Sequence, residues 1–255
     1  MIQRKPTRIE LKPQDKDEFI AKRRKEEKEK EAAIVPGGAK PSNGEEAEKK
    51  KNVISGEEVE VKLRIPDSAS FAAVQSLLLP SFKAIHEQEN HFFDGAKGEL
   101  SAEKVVLRVR FYGGDRRAVI TCKGKQVLEN GVGRAPEEEE EIEVAVAREF
   151  LKDPSTLVNH ESTLMNKLKE EFKFPEGLTY LGGFDNRRSV YEWRGYTLEV
   201  DLTSYPWGSL YEIECETQEP DVLKAQLEQL LSENAIPFSN ATKSKFANFK
   251  DKTLE

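Results

Sequence analysis

Glu58-Val59-Glu60-Val61-Lys62-Leu63-Arg64-Ile65 places a charged side chain at every second position and an apolar one between. On a strand, where successive side chains point to opposite faces, this gives one apolar face and one wholly charged face. The pattern returns along the chain. Leu107-Arg108-Val109-Arg110-Phe111 carries two arginines and Thr121-Cys122-Lys123-Gly124-Lys125 two lysines, while Thr197-Leu198-Glu199-Val200-Asp201 and Tyr211-Glu212-Ile213-Glu214-Cys215 carry paired carboxylates. For a single strand, a solvated face is the simpler account. It serves the set less well, because like charges at i and i+2 repel unless opposite charge lies between the strands. A closed barrel with a charged lumen removes the conflict, since basic and acidic strands then face one another across bound ligand and metal. The chemistry such a lumen suits is the handling of a polyanion. Guanidinium and ammonium groups match phosphate oxygens, and the carboxylates would repel them unless a divalent cation intervened. The histidines, His86, His91 and His160, have no metal-site spacing, so oxygen-ligated Mg2+ or Mn2+ is expected in place of zinc. Gly124-Lys125 lacks the rest of a Walker motif, and neither a kinase set nor a Ser-His-Asp pattern is present.

The elements that would carry these residues are mostly of period two. Strands are expected at 58–65, His91 to Phe93, Val105 to Phe111, Ala118 to Lys125, Gly133 to Val144, Leu178 to Phe184, Ser189 to Trp193, Thr197 to Asp201 and Leu210 to Glu216. Asp67 or Ser68 caps a helix running to Leu79, where Pro80 ends it, and helical patterns fill Glu161 to Phe172 and Asp221 to Asn234. This describes a mainly β, antiparallel protein with accessory helices. By parity Cys122 and Cys215 lie on apolar faces as buried free thiols.

Charge divides the 255 residues unevenly. Residues 1 to 50 hold 14 Lys+Arg and 11 Asp+Glu; subtracted from totals of 40 and 47, these leave 26 and 36 for the remainder, net -10. The leader is too poor in apolar residues to repay its own ordering, so alone it is expected to be disordered or a solvated helix. Asp15 to Ala33 has strong helix formers, and Pro36-Gly37-Gly38 with Pro41-Ser42-Asn43-Gly44 marks a linker. The expected organisation is a segment at 1–31, a linker at 32–55 and a folded domain at 56–255. No stretch approaches the roughly 20 apolar residues of a membrane span, and neither a signal nor a transit peptide is legible. A cytoplasmic or nuclear protein is expected, with neither membrane nor nucleic acid as partner and a monomeric folded domain.

Glu58-Val59-Glu60-Val61-Lys62 resembles the ExExK motif of the CYTH superfamily, the triphosphate tunnel metalloenzymes. The resemblance covers residues 57 to 250 and is closest to plant inorganic tripolyphosphatases. Leu-Arg-Val-Arg-Phe at 107 to 111, Leu-Gly-Gly-Phe at 181 to 184, Val-Tyr-Glu-Trp-Arg-Gly at 190 to 195 and Tyr-Glu-Ile-Glu-Cys-Glu at 211 to 216 carry it. It implies an eight-stranded antiparallel barrel forming a tunnel, with Lys62, Arg64, Arg108, Arg110, Lys123, Lys125, Arg134, Arg188 and Lys245 as triphosphate contacts. It also implies Glu58, Glu60, Glu212 and Glu214 as holders of the metal, with Glu138, Glu140 and Asp201 as further acidic candidates. Catalytic roles fall to Glu58, Glu60, Lys62, Glu212 and Glu214, and the implied reaction is metal-dependent hydrolysis of inorganic triphosphate. Organic triphosphates, such as thiamine triphosphate or a nucleotide, and a non-catalytic polyphosphate-binding barrel stay open as alternatives. In one place the family pattern breaks. After Arg134 it continues R-x-E-x-E, whereas this chain reads Arg134-Ala135-Pro136-Glu137-Glu138. Either the strand bulges and Glu137 turns inward, or the first acid is absent and Glu138 and Glu140 suffice; absence is the favoured reading.

Met1-Ile2-Gln3-Arg4-Lys5-Pro6-Thr7-Arg8-Ile9-Glu10-Leu11-Lys12, followed by an acidic patch and Phe19, resembles the start of cell division cycle protein twenty-six, a subunit of the anaphase-promoting complex. This implies that residues 1–31 bind a TPR subunit of that complex. A plain basic tail, or a localisation signal at Lys22-Arg23-Arg24-Lys25, is the alternative.

Overall fold

The computed structural model describes residues 53–255, so the expectations for the leader fall outside the described residues. The chain opens with β1 (Val53–Ile65), then α1 (Ser68–Leu78), capped by the Asp67 carboxylate accepting from the Ser70 N–H at 2.7 Å, and Pro80 in the following 3-10 turn. Next come β2 (Phe82–Gly95), the short α2 (Glu99–Ala102), β3 (Val106–Tyr112), β4 (Arg117–Lys123), β5 (Val127–Glu129) and β6 (Val132–Ile142). Three helices follow, α3 (Val144–Lys152), α4 (Pro154–Val158) and α5 (Thr163–Phe172). The rest is β7 (Leu178–Trp193), β8 (Tyr196–Tyr205), β9 (Gly208–Glu216), α6 (Pro220–Glu233), β10 (Ser239–Asn240) and α7 (Lys245–Asp251).

Antiparallel pairing runs β1-β9-β8-β7-β2-β3-β4-β6 and returns from β6 to β1, closing an eight-stranded barrel; β5 and β10 pair only with β6 and β1. The mainly β tunnel fold expected from the charged faces is therefore present. Its apolar faces point outward, and the helices cover them. Val61, Leu63, Leu198, Val200 and Ile213 pack with α1 and α6 residues such as Phe71, Val74, Leu223 and Leu227. Leu107, Val109, Phe111 and Ile120 pack with Ala147, Phe150, Leu157, Leu164 and Met165 of α3 to α5. Helices thus bury what an ordinary barrel hides inside, and the lumen is left to polar groups. Cys215 is buried and Cys122 half-buried; burial pushes both thiols up to about 12, with nearby carboxylates adding to it.

The elements differ from the sequence reading where the period was silent. β1 starts at Val53, inside the expected linker, and pairs there with Glu140. The expected strands at 178–184 and 189–193 are one strand, β7. β2 begins at Phe82, well before His91, because its middle, Glu87-Gln88-Glu89-Asn90, has no apolar alternation. β6 stops at Ile142, and Val144 opens a helix whose Ala147 and Phe150 are buried. β4 stops at Lys123: a Cβ on Gly124 would come within 2.6 Å of the Pro136 ring, so this close crossing demands glycine.

Candidate active site

The inward faces of the barrel strands enclose a cavity of about 430 Å3, lined as well by residues of segments 101–106 and 124–128 and of α7. Two knots of charge fill its wall. In the first, the Lys123 ammonium contacts Glu58 and sits 3.4 Å from Glu60 and 3.1 Å from Glu137, while Arg108 reaches Glu137 at 3.4 Å, Glu139 at 3.6 Å and the Thr121 hydroxyl at 3.1 Å. In the second, Glu214 is bound by Lys62 at 2.6 Å, Arg188 at 2.8 Å and Lys245 at 2.5 Å. Lys62 also contacts Glu60 at 2.8 Å, which joins the two knots. Asp201 takes both arms of the Arg188 fork, at 2.9 and 2.7 Å, together with Lys245 at 2.8 Å. Below them Glu212 lies between Arg64 at 3.0 Å and Lys245 at 3.1 Å.

Register explains the layout. Strand pairs Lys62↔Glu214, Arg64↔Glu212 and Arg188↔Asp201 are direct cross-strand partners, so each acid meets its base on the inward face. Burial alone would push Glu214 up, but Lys245, Lys62 and Arg188 hold it well below the usual carboxylate range. Burial likewise disfavours charge on Lys62 and Arg188, and their carboxylates outweigh it, keeping both well above their ordinary values. Glu58 moves the other way: burial and then its neighbour Glu137 raise it, against the opposing pull of Lys123.

Arg110 stands apart. Its guanidinium donates to the Asn90 side-chain oxygen at 2.7 Å and to the Tyr112 hydroxyl at 3.3 Å, both neutral. Burial, and then the adjacent Arg110, lowers Arg108. Two guanidiniums side by side in a cavity, one without a carboxylate partner among the described residues, leave positive potential for an anion to neutralise.

Of the residues expected to act, the structure brings Glu58, Glu60, Lys62, Arg108, Arg110, Lys123, Arg188, Glu214 and Lys245 to the cavity wall, with Arg64, Asp201 and Glu212 joined to them by ion pairs. It places four elsewhere. Lys125 follows the end of β4 and is exposed. Arg134 pairs with Val59 on the outward face and is exposed. Glu138 and Glu140 also face outward, Glu138 toward Lys167 of α5 and Glu140 toward the N–H of Leu164 at its start. The inward acids of β6 are Glu137 and Glu139, opposite Lys123 and Thr121, and no bulge is needed, since the register to both neighbours is continuous. The Pro136 carbonyl accepts from the Gly124 N–H at 2.8 Å, but proline has no N–H to return the bond, so the β4–β6 ladder ends at this pair. The phase of an unbroken Glu137–Glu141 run cannot be counted from sequence. Glu199, read from sequence as part of a paired-carboxylate face but given no site role, lies against Arg188, and the neutral Asn90, Thr121 and Gln126 carry roles that residue type alone did not single out.

The phase correction has a direct test. Glu137→Gln should lower turnover about tenfold or more, whereas Glu138→Gln loses only an exposed ion pair with Lys167 and should leave turnover and melting temperature unchanged. Equal losses in purified, folded variants would overturn the correction.

The cavity offers only hard oxygen donors among its acids, which suits Mg2+ or Mn2+. Two ammonium groups, Lys123 and Lys245, already sit among three carboxylates each, as stand-ins for a cation. Among the described residues no three acidic, His or Cys side chains converge closely enough to hold a metal as they stand.

Comparison with known proteins adds two family matches. The CYTH domain matches residues 56–247, and the anaphase-promoting complex subunit CDC26 matches residues 1–67, so the two overlap on β1. HpAC1 of Hippeastrum, described as an adenylyl cyclase candidate with a dominant triphosphatase activity, has 37% identity over 78% of this chain and 97% of its own, with a TM-score of 0.75. An adenylate cyclase candidate from Bacillus halodurans shares the fold at 20% identity, covering 76% of this chain and 98% of its own, TM-score 0.57. No functionally curated protein matches. A closed barrel with its charges inside, matched along three quarters of the chain by the family profile and by a solved structure well above 30% identity, means that this chain belongs to the CYTH family, its residues 1–67 being similar to CDC26.

Proposed function

We propose that the tunnel hydrolyses inorganic triphosphate to pyrophosphate and phosphate with Mg2+ or Mn2+. The observation that carries this reading is the Arg108–Arg110 pair on the cavity wall, in which Arg110 bonds only to the neutral Asn90 and Tyr112 among the described residues. The triphosphatase activity described for HpAC1 supports it. Arg108, Arg110, Lys62, Arg188 and Lys245 would bind and align the phosphates from several sides, making catalysis largely electrostatic positioning. Glu58, Glu60 and Glu214 would hold the divalent cation, which supplies Lewis-acid stabilisation to phosphoryl oxygens. Water would attack the terminal phosphorus, with pyrophosphate leaving. Incubating the purified protein with triphosphate, pyrophosphate, ATP and thiamine triphosphate, with each metal, tests this. Triphosphate should be turned over fastest; hydrolysis of none would favour a non-catalytic polyphosphate-binding barrel.

For the leader, the CDC26 match supports binding of residues 1–31 to a TPR subunit of the anaphase-promoting complex, and hence a cytoplasmic or nuclear location. Because β1 begins at Val53, the informative truncation removes residues 1–52. It should leave triphosphate hydrolysis and melting temperature nearly unchanged and abolish pull-down of the TPR subunit. A peptide of residues 1–31 should bind that subunit by itself; failure of the peptide where the full chain binds would reassign the contact to the barrel.

A further inference from the structure

The seven residues of α7 are too few to persist alone, yet this helix delivers Lys245 to Asp201, Glu212 and Glu214. Its apolar side, Phe246 and Phe249, packs on Phe92. Its other support is Asn248, fully buried and absent from the cavity wall. The amide nitrogen donates to the backbone oxygens of Ser244 at 3.2 Å and Glu255 at 2.9 Å; the amide oxygen accepts from the Thr253 hydroxyl at 2.8 Å and the Glu255 N–H at 2.8 Å. These bonds use both donors and both lone pairs of the side chain. They fold residues 253–255 back against the helix, where the Thr253 carbonyl also accepts from the Trp207 indole at 3.1 Å.

We propose that Asn248 is the positioning residue for Lys245. It ties residues 253–255 to α7, and this clasp sets the point at which the Lys245 ammonium enters the tunnel. The inference rests on the reading of the tunnel as a triphosphate site. A lysine stem is flexible, so its head is useful to a phosphate only if the backbone that carries it is fixed. A role limited to anchoring residues 253–255 would lower the melting temperature and leave the affinity for triphosphate alone.

The test compares full-length wild type, Asn248→Ala, Lys245→Met and the double variant. Two measurements are made on each: kcat and KM for triphosphate with Mg2+, and the rise in melting temperature caused by triphosphate in EDTA, which reads binding without turnover. Asn248→Ala should raise KM roughly tenfold with a smaller change in kcat. The double variant should be no worse than Lys245→Met, because the amide acts only through the ammonium. An unchanged KM in Asn248→Ala, or losses that add in the double variant, overturns the positioning role while leaving the tunnel reading intact. A wild type that neither binds nor hydrolyses triphosphate overturns both. If Asn248→Ala does not fold, Thr253→Val removes one donor to the amide oxygen, and the same cycle with Lys245→Met decides.

Discussion

Glu214→Ala should lower triphosphate hydrolysis by on the order of 100-fold or more and also lower the melting temperature. Glu214 is the proposed metal holder with the most cationic partners among the described residues, meeting Lys62, Arg188 and Lys245 at once in a buried position. Its removal leaves three cations facing one another with less opposite charge between them. Breaking a buried pair by deleting one partner costs about 3–5 kcal/mol, so the loss should be plain in a thermal melt. Added triphosphate should restore part of that loss, since a polyanion supplies the charge the carboxylate no longer gives. The combination is distinctive: turnover gone, stability reduced, and stability recovered by substrate. Steady-state assay and melting curves with and without triphosphate check it. A folded Glu214→Ala protein with normal turnover would sink the assignment of this carboxylate to the catalytic site.

The second large effect separates binding from stability. Arg110→Met should raise KM by about 10- to 100-fold, since a charge-assisted hydrogen bond contributes roughly 1.5–3 kcal/mol, yet shift the melting temperature by only a few degrees. Arg110 bonds to the neutral Asn90 and Tyr112, so its removal strands no carboxylate. Lys62→Met should weaken triphosphate binding and destabilise the fold together, because Glu60 and Glu214 lose a buried partner. If Arg110→Met bound triphosphate as tightly as wild type, the basic face of β3 would serve the barrel and not a ligand.

The alternation at 58–65 makes β1 and its two faces legible in the residues themselves, and the recurrence of like-charged pairs on other strands points to a lumen. Alternation is a local property, written into the chain wherever one face is apolar and the other charged. The same rule fails where both kinds of residue are missing. Glu87-Gln88-Glu89-Asn90 lies in the middle of β2, held by pairing with β7 along its length, and nothing in its own residues asks for a strand. Asn186 and Thr203, bonded to each other at 2.8 Å inside the barrel, give no charge signal at all.

The sequence by itself determined which residues could form a charged lumen, and the chemistry that such a lumen suits. Tertiary structure alone decided which of them arrive there. Glu137 and Glu138 are adjacent and chemically identical, but Glu137 faces Lys123 across the β4–β6 pairing while Glu138 faces the helix outside. A side chain's face depends on register with neighbouring strands, and a shift of one residue inverts every assignment. An acidic run without alternation carries no local mark to fix that register. Lys245 shows the same limit at longer range. Its nearest partners belong to β8 and β9, and only the closing of the barrel and the clasp at Asn248 bring a lysine from the last helix onto carboxylates more than thirty residues before it.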